Sequence, residues 1–388
     1  LPLQLEDEAL PASGAYPQER VLVLSENREF FTFVNVDEEP VPSLLRGFSA
    51  PVTLVDGLTD NDLLLLLQHD TDPFNRWEAG QRLALARLLT AVRGDGDLQL
   101  DQPFIEAMRG VLNHPTLDPA FKELVLLPPS EIYVAEQLES VDPQRVHAAR
   151  EAMRMQLAQA LRDDWAAAFE AHQVAGGYSA DPVSVGKRAL ANLALSMLCL
   201  DAVARGDTVW PGRAYQRFKD AGNMTDRQGA LWALLASHSE LAEPALARFY
   251  ELFKGEPLVI DKWFTLQATA PESGGRVFAR VKALMNHPDF TIKNPNRARS
   301  LIAAVCMGNP AAFHRSDAAG YVFWADRVLE LDGINPQLAA RMARVMDRWS
   351  RLAEPYRSAA REAVSRVAAK PDLSSDVREI VTRALADA

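Results

Sequence analysis

The sequence predicts a mainly α protein: a stacked helical superhelix of armadillo or HEAT type, preceded by a short β region. Three observations carry that prediction. Hydrophobic periodicity changes once, near residue 57, from short runs rich in Val, Phe and Leu to a helical spacing that persists to the end. An acidic or amide residue followed by Pro recurs before the helical runs. This marks helix starts, because the side chain caps free backbone N–H groups and Pro is pre-set for the first helical position. Finally, "VLNHPTLDP" at 111–119 and "LMNHPDFTIKNP" at 284–295 echo each other, and Asn294 lies 41 residues before Asn335, near the length of a two-helix repeat.

Taken in order, "RVLVLS", "REFFTFVNV", "PSLLRGF" and "PVTLVDG" are separated by polar or Pro-containing turns such as "DEEPVP". Residues 1–57 are therefore expected to form four or five short strands, a partial immunoglobulin-like β-sandwich domain. "LPLQLED" alternates apolar and polar positions from Leu1, as the middle of a strand does, so the natural N-terminus is expected upstream. Residues 58–388 are the expected helical superhelix domain. Its helix starts fall at Asp72-Pro73, Asp118-Pro119, Asp142-Pro143, Asp181-Pro182, Glu243-Pro244, Asn294-Pro295, Asn309-Pro310, Asn335-Pro336 and Glu354-Pro355. "GDGD" at 94–97 reads as a turn. A superhelix has a concave inner surface, and binding is expected there.

A net charge of -11 and a pI near 5.2 argue against nucleic acid or an anionic membrane as partner, since no basic surplus exists to neutralise phosphates. Cys199 and Cys306 each sit alone in an apolar helical run and read as buried free thiols of a reducing, cytoplasmic compartment. The apolar block "DLLLLLQ" at 62–68 is far shorter than the roughly 20 residues that span a bilayer.

No complete catalytic constellation stands out. The seven histidines include no HExxH and no pair at helical spacing, so no metal ligands are assigned. His114 and His287 precede prolines at helix ends, where a donor suits the last carbonyls. In "GNMTD" at 222–226, Asn223 or Thr225 reads as a helix cap. What remains is arginine. In the run from Pro336, Leu338, Met342, Val345 and Trp349 form an apolar stripe opposite Arg341, Arg344, Arg348 and Arg351. In "TIKNPNRARSLIAAV", Arg297 and Arg299 occupy the start of a helix, where a cation typically loses about 0.3–1 kcal/mol. Arg299 and Arg341 each follow an Asn-Pro start, about one repeat apart, and convergence of the two on the concave wall would make a carboxylate site.

The stretches "PVPSLLRGFSAPVTL", "DPFNRWEAGQ", "NMTD", "VIDKWFTLQA", "NPNRARSLI", "NPAAFH" and "NPQLAAR" closely resemble, in order along the chain, the C-terminal half of the bacterial aminopeptidase N family. That resemblance implies a zinc-dependent peptidase whose catalytic domain carries HExxH, a distant Glu ligand and a GxMEN strand. All of these are absent from this sequence. It implies further that this chain is the substrate-enclosing part, inactive alone and holding no cofactor. Its partners would be the missing N-terminal and catalytic domains of the same polypeptide and short peptide substrates. By the family's motifs Arg299, Gln337 and Arg341 face the chamber or its inlet. The two arginines are expected to anchor the far carboxylate or carbonyls of a peptide, and Arg297 keeps a surface or helix-packing role. The alternative is a stand-alone helical-repeat scaffold that binds protein or peptide partners on its concave face.

Overall fold

Helix starts are fixed by side chains that replace the missing backbone acceptors. In the computed structural model, which describes residues 1–94 and 97–386, twenty α-helical segments follow a small β region. The turn expected at 94–97 includes Asp95 and Gly96, which lie outside the described residues. The first helix, α1 (Asp60–His69), opens with a reciprocal capping box between Thr59 and Asp62. Asp or Asn at the cap with Pro next to it opens α2 (Pro73–Arg93), α4 (Pro119–Leu126), α6 (Pro143–Ala160), α8 (Pro182–Ala204), α14 (Pro295–Ala298), α16 (Pro310–Phe313) and α18 (Pro336–Ala343).

The two Glu-Pro sites differ. Pro244 falls inside α11 (Ala242–Phe253), and Glu354 precedes α19 (Tyr356–Ala368) without forming an Asx-type cap. Glu is one methylene too long for that short-range geometry. The remaining segments are α3 (Gln102–Leu112), α5 (Glu131–Glu136), α7 (Arg162–Ala171), α9 (Val209–Asp220), α10 (Met224–Ala236), α12 (Pro257–Thr269), α13 (Arg276–Leu284), α15 (Ala304–Gly308), α17 (Ala319–Asp332) and α20 (Ser375–Ala386).

Consecutive helices pack as neighbours, α1 on α2, α7 on α8, α9 on α10, α17 on α18 and α19 on α20, which is the stacking of a helical-repeat array. At its heart α8 touches α4, α6, α7, α9 and α10. By length and apolar composition α8 matches a membrane span, yet 61% of that stretch is buried inside the fold. It is the core helix. A recurrent device ties successive layers: the indole N–H groups of Trp165, Trp263, Trp324 and Trp349 donate to the carbonyls of Leu157, Leu246, Met342 and Ala384, at 2.8–3.1 Å. Each large ring is buried without leaving its polar atom unpaired.

The β region is thinner than expected. Two short strands, β1 (Gln4–Leu5) and β2 (Phe33–Val34), pair antiparallel with Gln4 opposite Val34 and Leu5 opposite Phe33. "RVLVLS" forms no ladder, and Val21, Val23 and Leu24 are largely exposed. Composition gives a segment the side chains of a strand, but a strand exists only where a neighbour accepts its backbone bonds. "PSLLRGF" likewise is no strand: Arg46–Phe48 form a 3-10 turn. The Arg46 guanidinium meets the Asp70 carboxylate at 2.6 Å, and Phe48 packs on Phe74. This turn docks the β region onto the α1–α2 corner.

Candidate functional site

A cavity of about 570 Å³ opens among α4, α5, α6, α8, α10 and the turns following α12 and α15. Its wall follows from helical spacing. His147, Arg150, Glu151 and Arg154 share one face of α6, while Ala189, Asn192, Leu193 and Ser196 share one face of α8. The neighbouring stripe of α6, Val146, Ala149, Met153 and Leu157, enters the core. Gly229 of α10 belongs to the same wall because a Cβ there would lie 2.3 Å from the Asn192 side chain. Asn309, almost fully buried at the far rim, donates to the carbonyls of Ala268 and Ala270 at 3.0 and 2.7 Å and caps α16 through Ala312.

The cavity is a mixed-charge site. Burial would raise the Glu151 carboxyl, but Arg154, Arg150 and His147 outweigh it and hold it below the usual carboxylate range. Arg154 meets Glu151 at 2.7 Å. The same burial weakens the proton affinity of Arg150, helped by Arg154. Glu123, with no counter-ion among the described residues, is pushed upward by burial alone. Around these charged groups much of the wall is apolar, from Leu127, Ile132, Leu193, Trp232 and Pro271.

The residues assigned from sequence lie outside this cavity wall. Arg299, Gln337 and Arg341 are all exposed. Arg299 opens a π-helical turn (Arg299–Ala303), and among the described residues its guanidinium bonds only Asn296, at 3.0 Å. Gln337 and Arg341 make no side-chain hydrogen bond or ion pair among the described residues, so their donors are free. Arg297 is buried against α12, its guanidinium 2.9 Å from the Asp261 carboxylate and 5.1 Å from the Phe264 ring centre. Helix packing is its role.

The arginine-rich run also changes on folding. α18 ends at Ala343, a 3-10 turn follows at Arg344–Met346, and Met346 joins Leu338, Met342 and Trp349 in the core. Arg348 and Arg351 are not free: they reach Glu136 and the Leu138 carbonyl at the end of α5.

Asn223 caps α10 as expected. His114 and His287 do not donate to helix carbonyls. Each ring Nδ1 accepts from the backbone N–H two residues on, of Thr116 and Asp289. Both cysteines are buried and unpaired; burial pushes the Cys199 thiol up to about 12, and Cys306 also upward. Among the described residues no three His, Cys, Asp or Glu side chains gather as a metal site. The His147 cluster was missed from sequence. Its face of α6 is readable in "HAAREAMR", but Glu131 and the 272 carbonyl are brought to it only by the fold.

Two family profiles together match nearly the whole chain: "Domain of unknown function (DUF3458) Ig-like fold" over residues 1–57 and "Domain of unknown function (DUF3458_C) ARM repeats" over 60–386. The chain belongs to this ARM-repeat family. It is similar to aminopeptidase N of Caulobacter vibrioides, 37% identical over 97% of this chain, and of Escherichia coli K12, 34% identical over 98%. In both, the match covers 43% of the relative, so the chain spans less than half the length of these curated relatives and is homologous to their C-terminal part. A crystal structure of Legionella pneumophila aminopeptidase A in complex with aspartic acid superposes with a TM-score of 0.84 at 28% identity, covering 98% of this chain and 45% of that one. The family relation accounts for both the helical array and the β region.

Proposed function

We propose that this chain is the substrate-enclosing C-terminal portion of a zinc-dependent aminopeptidase that removes N-terminal residues from peptides. The observation that carries this reading is the likeness to two aminopeptidase N sequences along 97–98% of the chain. The zinc itself belongs elsewhere in that reading. The described residues offer no fitting donor set, and no catalytic step is assigned to them. What this chain supplies is binding and enclosure: the cavity, with its charged α6 face, for peptide backbone, and the free donors of Arg299, Gln337 and Arg341 for the far end of a short peptide. The buried, unpaired thiols support a reducing, cytoplasmic setting, and the acidic surface disfavours nucleic acid and anionic membranes as partners.

Two measurements test the proposal. Purified alone, the chain should neither retain stoichiometric zinc nor release amine from an alanyl anilide; clear turnover overturns the reading. In the full-length enzyme, Arg341→Ala or Arg299→Ala should raise KM for tri- and tetrapeptides roughly tenfold, the loss of one charge-assisted contact. An anilide, which has no distant carboxylate, should be little affected. Equal effects on both substrates would remove the anchoring role.

A further inference from the structure

His147 stands between two groups that can only accept. Its Nδ1 is 2.7 Å from Glu131 Oε1, and its Nε2 is 3.2 Å from the Glu272 carbonyl oxygen, 125 residues away in sequence. A neutral imidazole carries one N–H and one lone pair. It can donate to the carbonyl or to the carboxylate, and the other contact then sets two lone pairs against each other. Closing both contacts requires one further proton, shared between Nδ1 and Glu131 Oε1.

We propose that His147 and Glu131 form a proton-operated clamp that fastens α6 to α5 and to the 270–275 segment at the cavity wall, closed when the pair holds its extra proton and released when it loses it. The clamp joins segments that few side-chain bonds tie directly to one another. Arg150 Nε donates to the Pro129 carbonyl at 2.8 Å, and one turn before His147, Gln144 Nε2 donates to the Ala311 and His314 carbonyls at 2.9 and 2.8 Å. Asn309 Nδ2 also donates to the Ala270 carbonyl at 2.7 Å, and Arg348 and Arg351 reach α5 at Glu136, but no further side-chain bond links α6, α5 and the 272 turn to one another among the described residues.

The charged surroundings fix the sign. From α5 comes Glu131; from α6 come Glu151, Arg150 and Arg154; from α4 comes Glu123. After α10 stands His238, which burial pushes down, with Glu151, Glu272, Arg276 and Arg154 around it. Arg315 also acts on the Glu272 carboxylate, which accepts from the Ser273, Val277 and Phe278 amides. On α8 the facing groups are the neutral Asn192 and Ser196, and α16 ends at His314, which burial pushes down to about 4 and so keeps neutral. Helices α2 and α7 engage their charges elsewhere, Arg82 with Asp56, Arg87 with Asp60 and Asp101, Arg162 with Asp201, and Glu78 lies beside Arg82. Burial alone would depress the His147 imidazole, but the Glu131 bond and charge, with Glu151 behind it, carry it above its ordinary value. A proton affinity raised by folding stabilises the closed state below about pH 6.5, and that contribution is lost as pH rises through the raised value. The inference needs nothing from the aminopeptidase reading.

Hydrogen exchange of the intact chain, normalised to intrinsic rates, tests it between about pH 6 and pH 9. Segments 129–137, 143–150 and 270–275 should lose protection as pH rises, roughly tenfold for each unit by which folding raises the affinity of the pair. Glu131→Gln should abolish this loss while keeping protection, because the Gln amide N–H can donate to a neutral Nδ1 and leave Nε2–H for the carbonyl. Unchanged protection in the wild type, or an identical loss in Glu131→Gln, overturns the clamp. Nitrogen-15 NMR of His147 gives an answer that no variant can spoil: titration above pH 6.5 supports the shared proton, and titration at or below it refutes it.

Discussion

At the residue scale, Arg297 and Arg299 settle why two cations open one helix. Positions two apart on an α-helix point about 200° apart, so the two side chains must leave on opposite sides. Arg297 turns inward, where Asp261 at 2.9 Å and the Phe264 face offset the positive helix end; Arg299 turns to solvent. The Asp261 contact is a close ion pair without the alignment of a directed hydrogen bond. Removing one member of a buried pair strands the other, so Arg297→Ala should cost about 3 kcal/mol. Arg299→Ala should stay within about 0.5 kcal/mol. Urea unfolding midpoints at equal slope measure both, and similar losses for the two variants would refute the division of roles. Sequence made both residues conspicuous as cations in an unfavourable place. Counting places them on opposite faces, but which face is inner depends on α12, about 35 residues upstream, and that was not legible.

At the element scale, the short motifs that carried the family resemblance turn out to grip one another. "DPFNRWEAGQ" meets "PSLLRGF" through Asn75, whose amide donates to Ser43 and the Leu44 carbonyl, and through Phe74 on Phe48. "VIDKWFTLQA" meets "NPNRARSLI" through Asp261 and Arg297, and Thr265 donates to the Ser300 carbonyl. The same helix receives "NPAAFH" through Asn309. These stretches hold the layers together, which explains how they identify the fold. Helix starts were legible because an Asp or Asn cap acts within three residues. Strands were not, because their partners must come from elsewhere in the chain. Two caps that look alike in sequence should therefore differ in weight. Among the described residues the Asn335 side chain bonds only the Leu338 amide, at 3.0 Å, and Asn335→Ala should cost about 1 kcal/mol. Asn309→Ala would leave two buried carbonyls of 268 and 270 without a donor and should cost about 3 kcal/mol. Thermal or chemical denaturation of the pair decides it, and equal losses would mean that Asn309 acts as a cap alone.

At the scale of the whole molecule, the array departs from the nearest-neighbour logic of an open helical repeat. In such an array each unit touches only the next, and stability is a sum of local terms. Here the segment after α5 returns to the far end of the chain. Val141 and Leu352 form a parallel bridge, the Val141 amide donates to the Arg351 carbonyl at 2.8 Å and the Ala353 amide to the Val141 carbonyl at 2.7 Å. Arg348 and Arg351 reach Glu136 and Leu138, and Gln144 reaches Ala311 and His314. These ties span about 170 to 215 residues and couple the C-terminal helices to the middle of the array as one unit. Weakening them should uncouple the ends before it unfolds either. The triple variant Gln144→Ala, Arg348→Ala, Arg351→Ala removes these side-chain ties of the seam, a loss of about 2–4 kcal/mol, and leaves the backbone bridge in place. Its urea transition should then broaden or split, with α17–α20 losing hydrogen-exchange protection ahead of α8. A single transition with an unchanged slope, merely displaced to lower urea, would mean that stacked neighbours alone already make the array cooperative and that the seam only adds to the sum.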